Sequence, residues 1–325
     1  MPDFPDVVRA PVGARAADLK RLFQSDRDLL RTRLLVSGAI LFRGFGVASP
    51  EDLALLQSEM GEPMRYIGGD SPRTKLESGA KHEVYTSTEA PASVRLPLHN
   101  ELSYLETQPR FLWFACSKAA PRGGETTLAD GRKIVAAMDP AIRERFERDG
   151  VRYRVGFRGP GGPLAALDRV VKVNKSWMDA FETTDRSVVE AECRQRSASF
   201  EWSPGGDLTI ETKRPATRRH PVTGELVWFN QAHLFRMNAR YLGHTRYALA
   251  RAFFKTIGVV PHDACFGDGS PIGDDVIDRV FDVLDAYTVP VRWQPGDVVL
   301  VDNVLAMHGR EPFRGERKIL VAMNA

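Results

Sequence analysis

Hydrophobic and polar positions follow two different periods in the first 60 residues. Leucines and a phenylalanine recur near helical spacing over residues 16–37, so we expect a helix there. The apolar run AILFRGF at 39–45 predicts a buried strand. The sequence SPED at 49–52 is typical of a helix start, with a serine cap, a proline in the first turn and an acid three residues after the cap. We expect that helix to end near Gly61.

The rest of the chain predicts strands on both sides of a helical middle. Residues 62–95 are rich in glycine, serine, proline and charge, which predicts long loops and an active-site lid. Residues 96–130 predict strands broken by turns, and residues 132–197 a helical insert with one strand near VRYRVGF. Further along, the pattern predicts a hairpin in FEWSPGGDLTIET, a turn and strand in HPVTGELVWFN, helices near 240–257 and 274–287, and C-terminal strands.

The two β regions must meet to complete a sheet. We therefore predict a mainly β protein with α elements, in which helices pack outside a jelly roll. Neither an internal repeat nor a break in composition divides the chain, so we expect a single domain over residues 1–325.

Composition and charge exclude several classes of protein. The net charge of +3 comes from interspersed residues, whereas a nucleic-acid binder concentrates basic side chains on one face. Three scattered cysteines, Cys116, Cys193 and Cys265, argue against a disulfide framework and against a zinc ribbon. No apolar run reaches the length of a signal peptide or a membrane span, so we predict a cytoplasmic protein without a membrane partner.

The first candidate for chemistry is the pair His99 and Glu101. Residues i and i+2 of a strand point to the same face, so an imidazole and a carboxylate would project together. With 7 histidines and 42 acidic residues, one such pair arises by chance with roughly even odds. A half-buried strand without any ligand role is therefore the alternative interpretation.

A third ligand candidate, His308, follows the apolar strand VVLVDN and begins a turn. Two histidines and one carboxylate on one face make the facial triad of non-heme Fe(II) oxygenases. Such a triad leaves three positions open, of which a 2-oxo acid fills two and O2 takes the third.

The second carboxylate of a 2-oxo acid needs a cation. Arg317 lies nine residues after His308, and a guanidinium can bind a carboxylate through two hydrogen bonds. Lys318 is expected on the opposite face, and the hydroxyl of Thr126 or Thr127 could add a hydrogen bond. The alternative for Arg317 is a solvated charge at a strand end.

Seven motifs occur in a recognisable order. They are GAILFRGF (38–45), VYTSTE (84–89), LPLHNELSY (96–104), PRGGETTLAD (121–130), RHPVTGELVWFN (219–230), WQPGDVVLVDN (293–303) and HGREPFRGERKIL (308–320). Together they resemble the TauD/TfdA family of Fe(II)- and 2-oxoglutarate-dependent dioxygenases, in the branch that contains the aspartyl hydroxylase of syringomycin biosynthesis. The resemblance covers most of the chain, from about residue 38 to residue 323.

The resemblance implies a clavaminate-synthase-like double-stranded β-helix. It implies iron ligands at His99, Glu101 and His308, and 2-oxoglutarate bound by Arg317 with help from Thr126. It also implies hydroxylation of an unactivated C–H bond, with succinate and CO2 as co-products. The substrate would be a small molecule, either a free amino acid or an aminoacyl group on a carrier protein, in bacterial specialised metabolism such as antibiotic biosynthesis. Desaturation, cyclisation or epoxidation by the same cofactors, and an inactive binding protein, are the alternatives.

Two departures from the family pattern bear on the substrate. Glu101 stands where aspartate is commoner, although clavaminate-synthase-like amino-acid hydroxylases also use glutamate. Members that bind a sulfonate or an aryloxyacetate carry a second arginine where this chain has Val321, so we do not expect those substrates. A carboxylate at residue 101 also argues against halogenation, because halogenases carry a small residue there.

Other polar residues have weaker assignments. Asn230 could orient a polar substrate or hold a loop, and Arg95 and Tyr85 are further substrate candidates. We expect Asn303 to steady the iron-bearing loop, and turn structure to explain His220. His233 either lines the substrate cavity or packs locally.

Overall fold

A computed structural model describes residues 4–77, 82–161, 175–257 and 261–325, with backbone alone at 255–257. The strands in the described residues are β1 Asp6–Arg9, β2 Ala39–Arg43, β3 Lys75–Leu76, β4 Val84–Thr86, β5 Leu96–His99, β6 Phe111–Lys118, β7 Arg122–Gly123, β8 Thr126–Asp130, β9 Val151–Phe157, β10 Ser199–Trp202, β11 Leu208–Arg214, β12 Thr217–Arg219, β13 Leu226–Trp228, β14 His262–Phe266, β15 Val289–Val291, β16 Val298–Asp302, β17 Ala306–Arg310, β18 Phe313–Arg314 and β19 Lys318–Asn324. The α-helices are α1 Ala16–Ser25, α2 Arg27–Ser37, α3 Pro50–Gln57, α4 Gly131–Ala137, α5 Pro140–Asp149, α6 Trp177–Phe181, α7 Arg186–Gln195, α8 Ala232–Phe235, α9 Ala239–Leu242, α10 His244–Ile257 and α11 Asp274–Ala286. Over this part of the chain, no helix is both long enough and apolar enough to cross a bilayer.

Two sheets form the centre of the molecule. The larger has seven strands in the order β1-β2-β16-β6-β19-β4-β3, and the smaller has four in the order β15-β8-β17-β5. Side chains of both sheets, such as Phe114 and Val321 from the larger and Leu128 and Met307 from the smaller, belong to one buried apolar cluster. The sheets therefore face each other, and the predicted jelly roll is confirmed.

Alternate residues of the larger sheet point to its other face, because successive side chains of a strand point to opposite sides. Trp113 and Leu320 on that face pack with Phe23 of α1 and Leu53 of α3 in a second cluster. The ring centroids of Phe23 and Trp113 are 5.3 Å apart. The N-terminal helices thus cover the outside of the jelly roll.

A third sheet, β10-β11-β9-β14, lies within the middle of the chain. The predicted hairpin in FEWSPGGDLTIET is confirmed, since β10 and β11 pair antiparallel with Ser199 opposite Glu211. We predicted a helical insert over residues 132–197, of which residues 162–174 lie outside the described residues. The described part of that range holds β9 and four helices, α4 to α7.

The start of α3 follows the prediction from SPED. Ser49 accepts a hydrogen bond from the backbone N–H of Asp52, and Asp52 accepts one from the N–H of Ser49. This reciprocal pair satisfies donors that the first helical turn leaves free.

Three predicted boundaries were wrong. The helix predicted over 16–37 is two helices that meet at Asp26, whose backbone (φ −124°, ψ 32°) is not helical. Aspartate offers its own side chain as a hydrogen-bond partner and so favours helix ends over interiors. The helix predicted over 240–257 is also divided, at Gly243 (φ 81°). The loops predicted over 62–95 contain β3 and β4, and β4 pairs with β19.

Gly309 of β17 marks a close approach between strands. A Cβ atom there would lie 2.6 Å from the carbonyl oxygen of Leu96 and 2.6 Å from the hydroxyl of Thr127. Gly309→Ala should therefore lower the free energy of unfolding by about 1–3 kcal/mol, measured by urea denaturation. Gly161→Ala is the matched control, because its Cβ would meet its nearest neighbour, the Gly205 oxygen, at 3.5 Å. Equal stability of the two variants would contradict the crowding at Gly309.

Candidate metal centre and its cavities

The smaller sheet brings two histidines together across neighbouring strands. β5 and β17 run antiparallel, and His308 is the direct partner of His99. We predicted that His308 begins a turn, but it lies inside β17. The turn comes earlier, over residues 303–305, and returns the chain from the larger sheet to the smaller one.

Glu101 does not reach the site by the strand geometry that we predicted. β5 ends at His99, and Glu101 lies in the following turn, where Leu102 adopts a φ of 54°. Asn303 holds this turn: its Oδ1 accepts a hydrogen bond from Glu101 N (2.8 Å), and its Nδ2 donates to Glu101 O (3.1 Å). Long-range hydrogen bonds, rather than strand alternation, therefore place the carboxylate.

The neighbouring residue Asp302 builds the turn that precedes β17. Its Oδ1 accepts hydrogen bonds from the backbone N–H groups of Val304 (3.0 Å) and Leu305 (3.2 Å). Its Oδ2 pairs with Arg110 (2.6 Å) and lies 3.1 Å from Nε2 of His220. His220 also accepts a hydrogen bond from Thr223 N at 2.9 Å, so turn structure accounts for it, as predicted.

The side chains of His99, Glu101 and His308 form one cluster. One candidate ligand atom from each lies within 4.8 Å of the other two. Nε2 of His308 is 3.4 Å from Oε2 of Glu101, and the two imidazole centroids are 4.3 Å apart. Glu101 and His308 are buried, whereas His99 borders two cavities.

The protonation states suit a divalent metal. Nδ1 of His99 donates to the Pro97 carbonyl at 2.8 Å, so the lone pair of this imidazole is on Nε2. Burial and the neighbouring His308 lower the pKa of His99 to about 3, which keeps it neutral. Burial opposes ionisation of Glu101, but Arg73 and the neighbouring His308 and His99 together outweigh it and hold the pKa of that carboxyl far below its ordinary value.

The donor set fits iron. Metal ligation requires neutral imidazoles and an ionised carboxylate, and the pKa shifts of His99 and Glu101 favour those states. Nδ1 of His308 is buried and has no hydrogen-bond partner in the described ranges. Two histidines and one carboxylate are the donors typical of non-heme Fe(II) sites.

A cavity of about 30 Å³, here called the Arg317 cavity, is lined by His99 and His308 together with Arg317 and Thr126. Nε of Arg317 donates to the Gly124 carbonyl (2.8 Å), and Nη2 lies 3.4 Å from Oγ1 of Thr126. Burial and the neighbouring Arg310 lower the pKa of Arg317 to about 10, which leaves the guanidinium charged at neutral pH. A cation and a hydroxyl thus line the same cavity as the two histidines. Thr127, the other predicted candidate, is not part of the lining.

A second and larger cavity of about 180 Å³, here called the Asp70 cavity, lies on the other side of His99. Its walls include Asp70, Tyr104, Gln231 and His262 as well as Glu101. Nε2 of His262 is 2.8 Å from Oδ2 of Asp70, and the Tyr104 hydroxyl donates to Oδ1 at 2.6 Å. Burial works to raise the pKa of Asp70, but His262 and Tyr104 keep it below its ordinary value.

The three residues predicted to contact substrate lie outside both linings. Asn230 is buried and holds a loop, because its amide donates to the Ala216 carbonyl at 2.9 Å and accepts from Ala232 N at 3.1 Å. Arg95 pairs with Asp285 (2.8 Å) and Glu311 (3.3 Å) at the surface. Tyr85 donates to Glu83 at 2.6 Å, behind the lining.

Three residues near the cluster were missed by the sequence analysis. Gln231 lines the Asp70 cavity, one residue beyond the predicted Asn230. Trp293 donates from its indole to Oγ1 of Thr126 at 3.0 Å. Arg73 pairs with Glu101 at 2.6 Å. No spacing rule links an arginine in an irregular segment to a glutamate 28 residues later, so only the folded chain reveals this pair.

Comparison with known proteins places the chain in a family. The model of the taurine catabolism dioxygenase TauD, TfdA family matches residues 5–323. The chain belongs to the TauD/TfdA family of dioxygenases. It is 34% identical over 289 residues to the dapdiamide synthesis protein DdaC of Enterobacter agglomerans, and this match covers 88% of this chain and 82% of DdaC. It is 28% identical over 326 residues to a clavaminate synthase-like protein of Arabidopsis thaliana, which covers 98% and 91%.

A solved structure has the same fold. The PvcB protein of Pseudomonas aeruginosa superposes with a TM-score of 0.54 at 18% identity, and the match covers 99% of this chain and 86% of PvcB. The predicted class, a 2-oxoglutarate-dependent non-heme iron dioxygenase of the TauD/TfdA family, is therefore confirmed.

His233 supports the site from behind. It is fully buried, its Nε2 donates to the Leu98 carbonyl at 2.8 Å, and its ring packs against Phe281 with centroids 5.2 Å apart. Of the two interpretations for this residue, local packing is the one that the structure has. Burial lowers the pKa of His233 to about 4.

Protonation of His233 should destabilise this TauD/TfdA protein in mild acid. The pKa of His233 is lower in the folded chain than in the unfolded chain, so between pH 6.5 and 4 the unfolded chain binds the proton more readily. The free energy of unfolding therefore decreases as the pH is lowered through this range. His233→Gln should remove up to about 3 kcal/mol of that loss. Urea denaturation of both proteins at pH 7, 6, 5 and 4.5 measures the difference. Parallel stability curves for the two proteins would show that His233 does not titrate in this way.

Proposed function

We propose that this chain hydroxylates an unactivated C–H bond of a small amino-acid-derived substrate, with Fe(II) held by His99, Glu101 and His308. The observation that carries the proposal is the convergence of these three side chains at the junction of two cavities. One cavity ends in a cation suited to a keto acid, and the other has room for a small organic molecule. Two co-reactants could thus approach one metal from different sides.

We assign 2-oxoglutarate to the Arg317 cavity. Among the residues that the structure describes, the walls of that cavity include three guanidinium groups and no acidic side chain. Arg310 is engaged with backbone, since it donates to the carbonyls of Pro91 and Val94 at 2.9 Å. Arg317 and Thr126 remain to bind the distal carboxylate of the keto acid, while its other end reaches the metal.

The bound iron and 2-oxoglutarate would supply the oxidising chemistry, with succinate and CO2 as co-products. The chain's residues supply the conditions for it. His99 stays neutral, Glu101 stays ionised, and the walls of both sheets exclude bulk water. The pose of the substrate in the Asp70 cavity would decide between hydroxylation and desaturation or epoxidation.

We propose that residues 62–95 act as a lid. The described part of this segment supplies Asp70 and Ser71 to one cavity, Arg73 and Ser87 to the other, and Thr88 to both. Arg310 fixes the C-terminal end of the segment through its hydrogen bonds to residues 88–94. Loops placed over a rigid scaffold in this way commonly carry substrate contacts.

Specialised metabolism is the context that we infer, because DdaC, at 34% identity, takes part in dapdiamide synthesis. A cytoplasmic location and the choice between a free and a carrier-bound substrate stay predictions. The mass of the product separates the possible outcomes: a gain of one oxygen indicates hydroxylation or epoxidation, and a loss of two hydrogens indicates desaturation or cyclisation.

Loss of a ligand should abolish the reaction. His308→Ala should lower 2-oxoglutarate-dependent succinate formation by at least about 100-fold, because the remaining two donors bind iron weakly. Anaerobic titration with Fe(II) should show the same loss of metal affinity. His244→Ala, an exposed histidine, is the control and should leave both measurements unchanged. Normal turnover by His308→Ala would exclude the proposed triad, whereas a wild-type chain that neither forms succinate nor binds Fe(II) would be the inactive alternative.

Loss of the cation at the far end should act on the co-substrate. Arg317→Ala should raise the KM for 2-oxoglutarate by about 10-fold to 100-fold, because a charge-assisted bond to a carboxylate is lost. Arg314→Ala, three residues earlier and exposed, is the matched control. If steady-state kinetics gave the same KM for wild type and Arg317→Ala, the keto acid would have to lie elsewhere.

A further inference from the structure

Arg73 is a buried cation that the proposed function does not use. Its side chain is 3% exposed, and that of its partner Glu101 is 4% exposed. Nη2 donates to Oε2 of Glu101 at 2.6 Å, while Nε and Nη1 are buried and have no hydrogen-bond partner within the described residues. An arginine that leaves buried donors unsatisfied is costly, because each such group gives up its hydration without compensation.

The surrounding segment holds this guanidinium in place. Arg73 lies over the ring of Tyr66, with its guanidinium carbon 4.8 Å from the ring centroid. Gly69 lets the chain pass close to that ring, since a Cβ there would meet Tyr66 at 2.2 Å. The Tyr104 hydroxyl accepts a hydrogen bond from Asp70 N at 3.1 Å. The position of Arg73 is thus fixed by packing before any ligand binds, as a specific binding group requires.

Arg73 stands where the two cavities meet. It lines the Arg317 cavity, and it is bonded to Glu101, which lines the Asp70 cavity. The arginine therefore lies beside the metal cluster and not at the distal end that Arg317 occupies. Val321, also in the lining, is apolar and provides no cation at this point of β19, whereas Arg73 provides one in the same lining.

We propose that the free edge of Arg73 binds a carboxylate of the organic substrate. A guanidinium presents paired N–H groups that match a carboxylate, and one edge can stay with Glu101 while the other receives the ligand. The acid Asp70, in the wall of the neighbouring cavity, suits the ammonium group of the same molecule. The substrate class is thus a small amino acid with an unmodified carboxylate. This inference rests on the proposed function and deepens it.

Direct binding tests the proposal without turnover. The full chain is loaded anaerobically with Mn(II) and 2-oxoglutarate, and the affinity for each is recorded first. Calorimetry then measures binding of the standard L-amino acids and of their α-amides, which differ from them only at the carboxylate. We expect at least one amino acid to bind about tenfold or more tightly than its amide. Arg73→Gln should reduce that ratio to about one.

The controls separate the other roles open to Arg73. Arg65→Gln removes an exposed arginine of the same segment, paired with Glu182, and should preserve the ratio. Arg73→Lys keeps the charge but loses the paired N–H groups, so its ratio of amino-acid affinity to amide affinity should lie between those of the wild type and Arg73→Gln. If the α-amides of aspartate and glutamate bind and other amides do not, a side-chain carboxylate is the group that Arg73 receives. That result supports the proposal and is compatible with a carrier-bound acidic residue.

Three results would overturn the proposal. Arg73→Gln could weaken the binding of amino acids and of their amides equally, which would mean that the arginine only supports Glu101 and the surrounding segment. It could instead weaken the binding of 2-oxoglutarate, which would mean that Arg73 binds a carboxylate of the keto acid. Failure of every carboxylate to bind the loaded protein would also exclude it. Failure of Mn(II) or 2-oxoglutarate to bind at the first step would count against the proposed function itself.

Discussion

The site depends on one side chain, that of Asn303, which joins segments about 200 residues apart. Its carbonyl oxygen accepts from Glu101 N, and its amide donates to the carbonyls of Glu101 (3.1 Å) and Pro109 (2.9 Å). Asn100 completes the junction by donating to Asn303 O at 2.7 Å. All of these groups are buried, so loss of any one would leave a buried partner unsatisfied. The turn after β5 is therefore defined by the end of β16.

The carboxylate that this junction positions, that of Glu101, is a buried negative charge, and Arg73 compensates it. Glu101 lies beside the imidazoles of His99 and His308, and the guanidinium of Arg73 contacts it as a countercharge. Removal of one partner from such a buried pair costs about 3–5 kcal/mol, because the other charge is left without compensation. A divalent metal adds positive charge at the same carboxylate. With a metal bound, positive charge would exceed negative charge at the centre, which favours the binding of anions such as a keto acid and a carboxylate-bearing substrate.

Local sequence patterns predicted the sheet-borne half of the site. His308 and Thr126 lie on strands whose apolar runs are evident in the sequence, and strand pairing brings those strands together. Arg317 precedes β19 of the larger sheet, so the packing of the two sheets brings it to them. Glu101 was predicted as a ligand from strand alternation, but β5 ends at His99 and Glu101 lies in the turn that follows. Arg73 and His262 could not be found, since neither lies on a periodic element that fixes its direction. Their positions follow from long-range contacts that spacing does not encode.

This division has a functional consequence. Groups that define the reaction, the two histidines and Arg317, are attached to the facing sheets, where a displacement would disturb a packed core. Groups that would recognise the organic substrate, Arg73 and Asp70, come from a segment with few strand residues, and such segments can vary without loss of the fold. Family membership therefore predicts the chemistry of this chain well and its substrate poorly. Under the proposal made for Arg73, the substrate would be selected by a few loop residues, of which Arg73 is bonded directly to a predicted metal ligand.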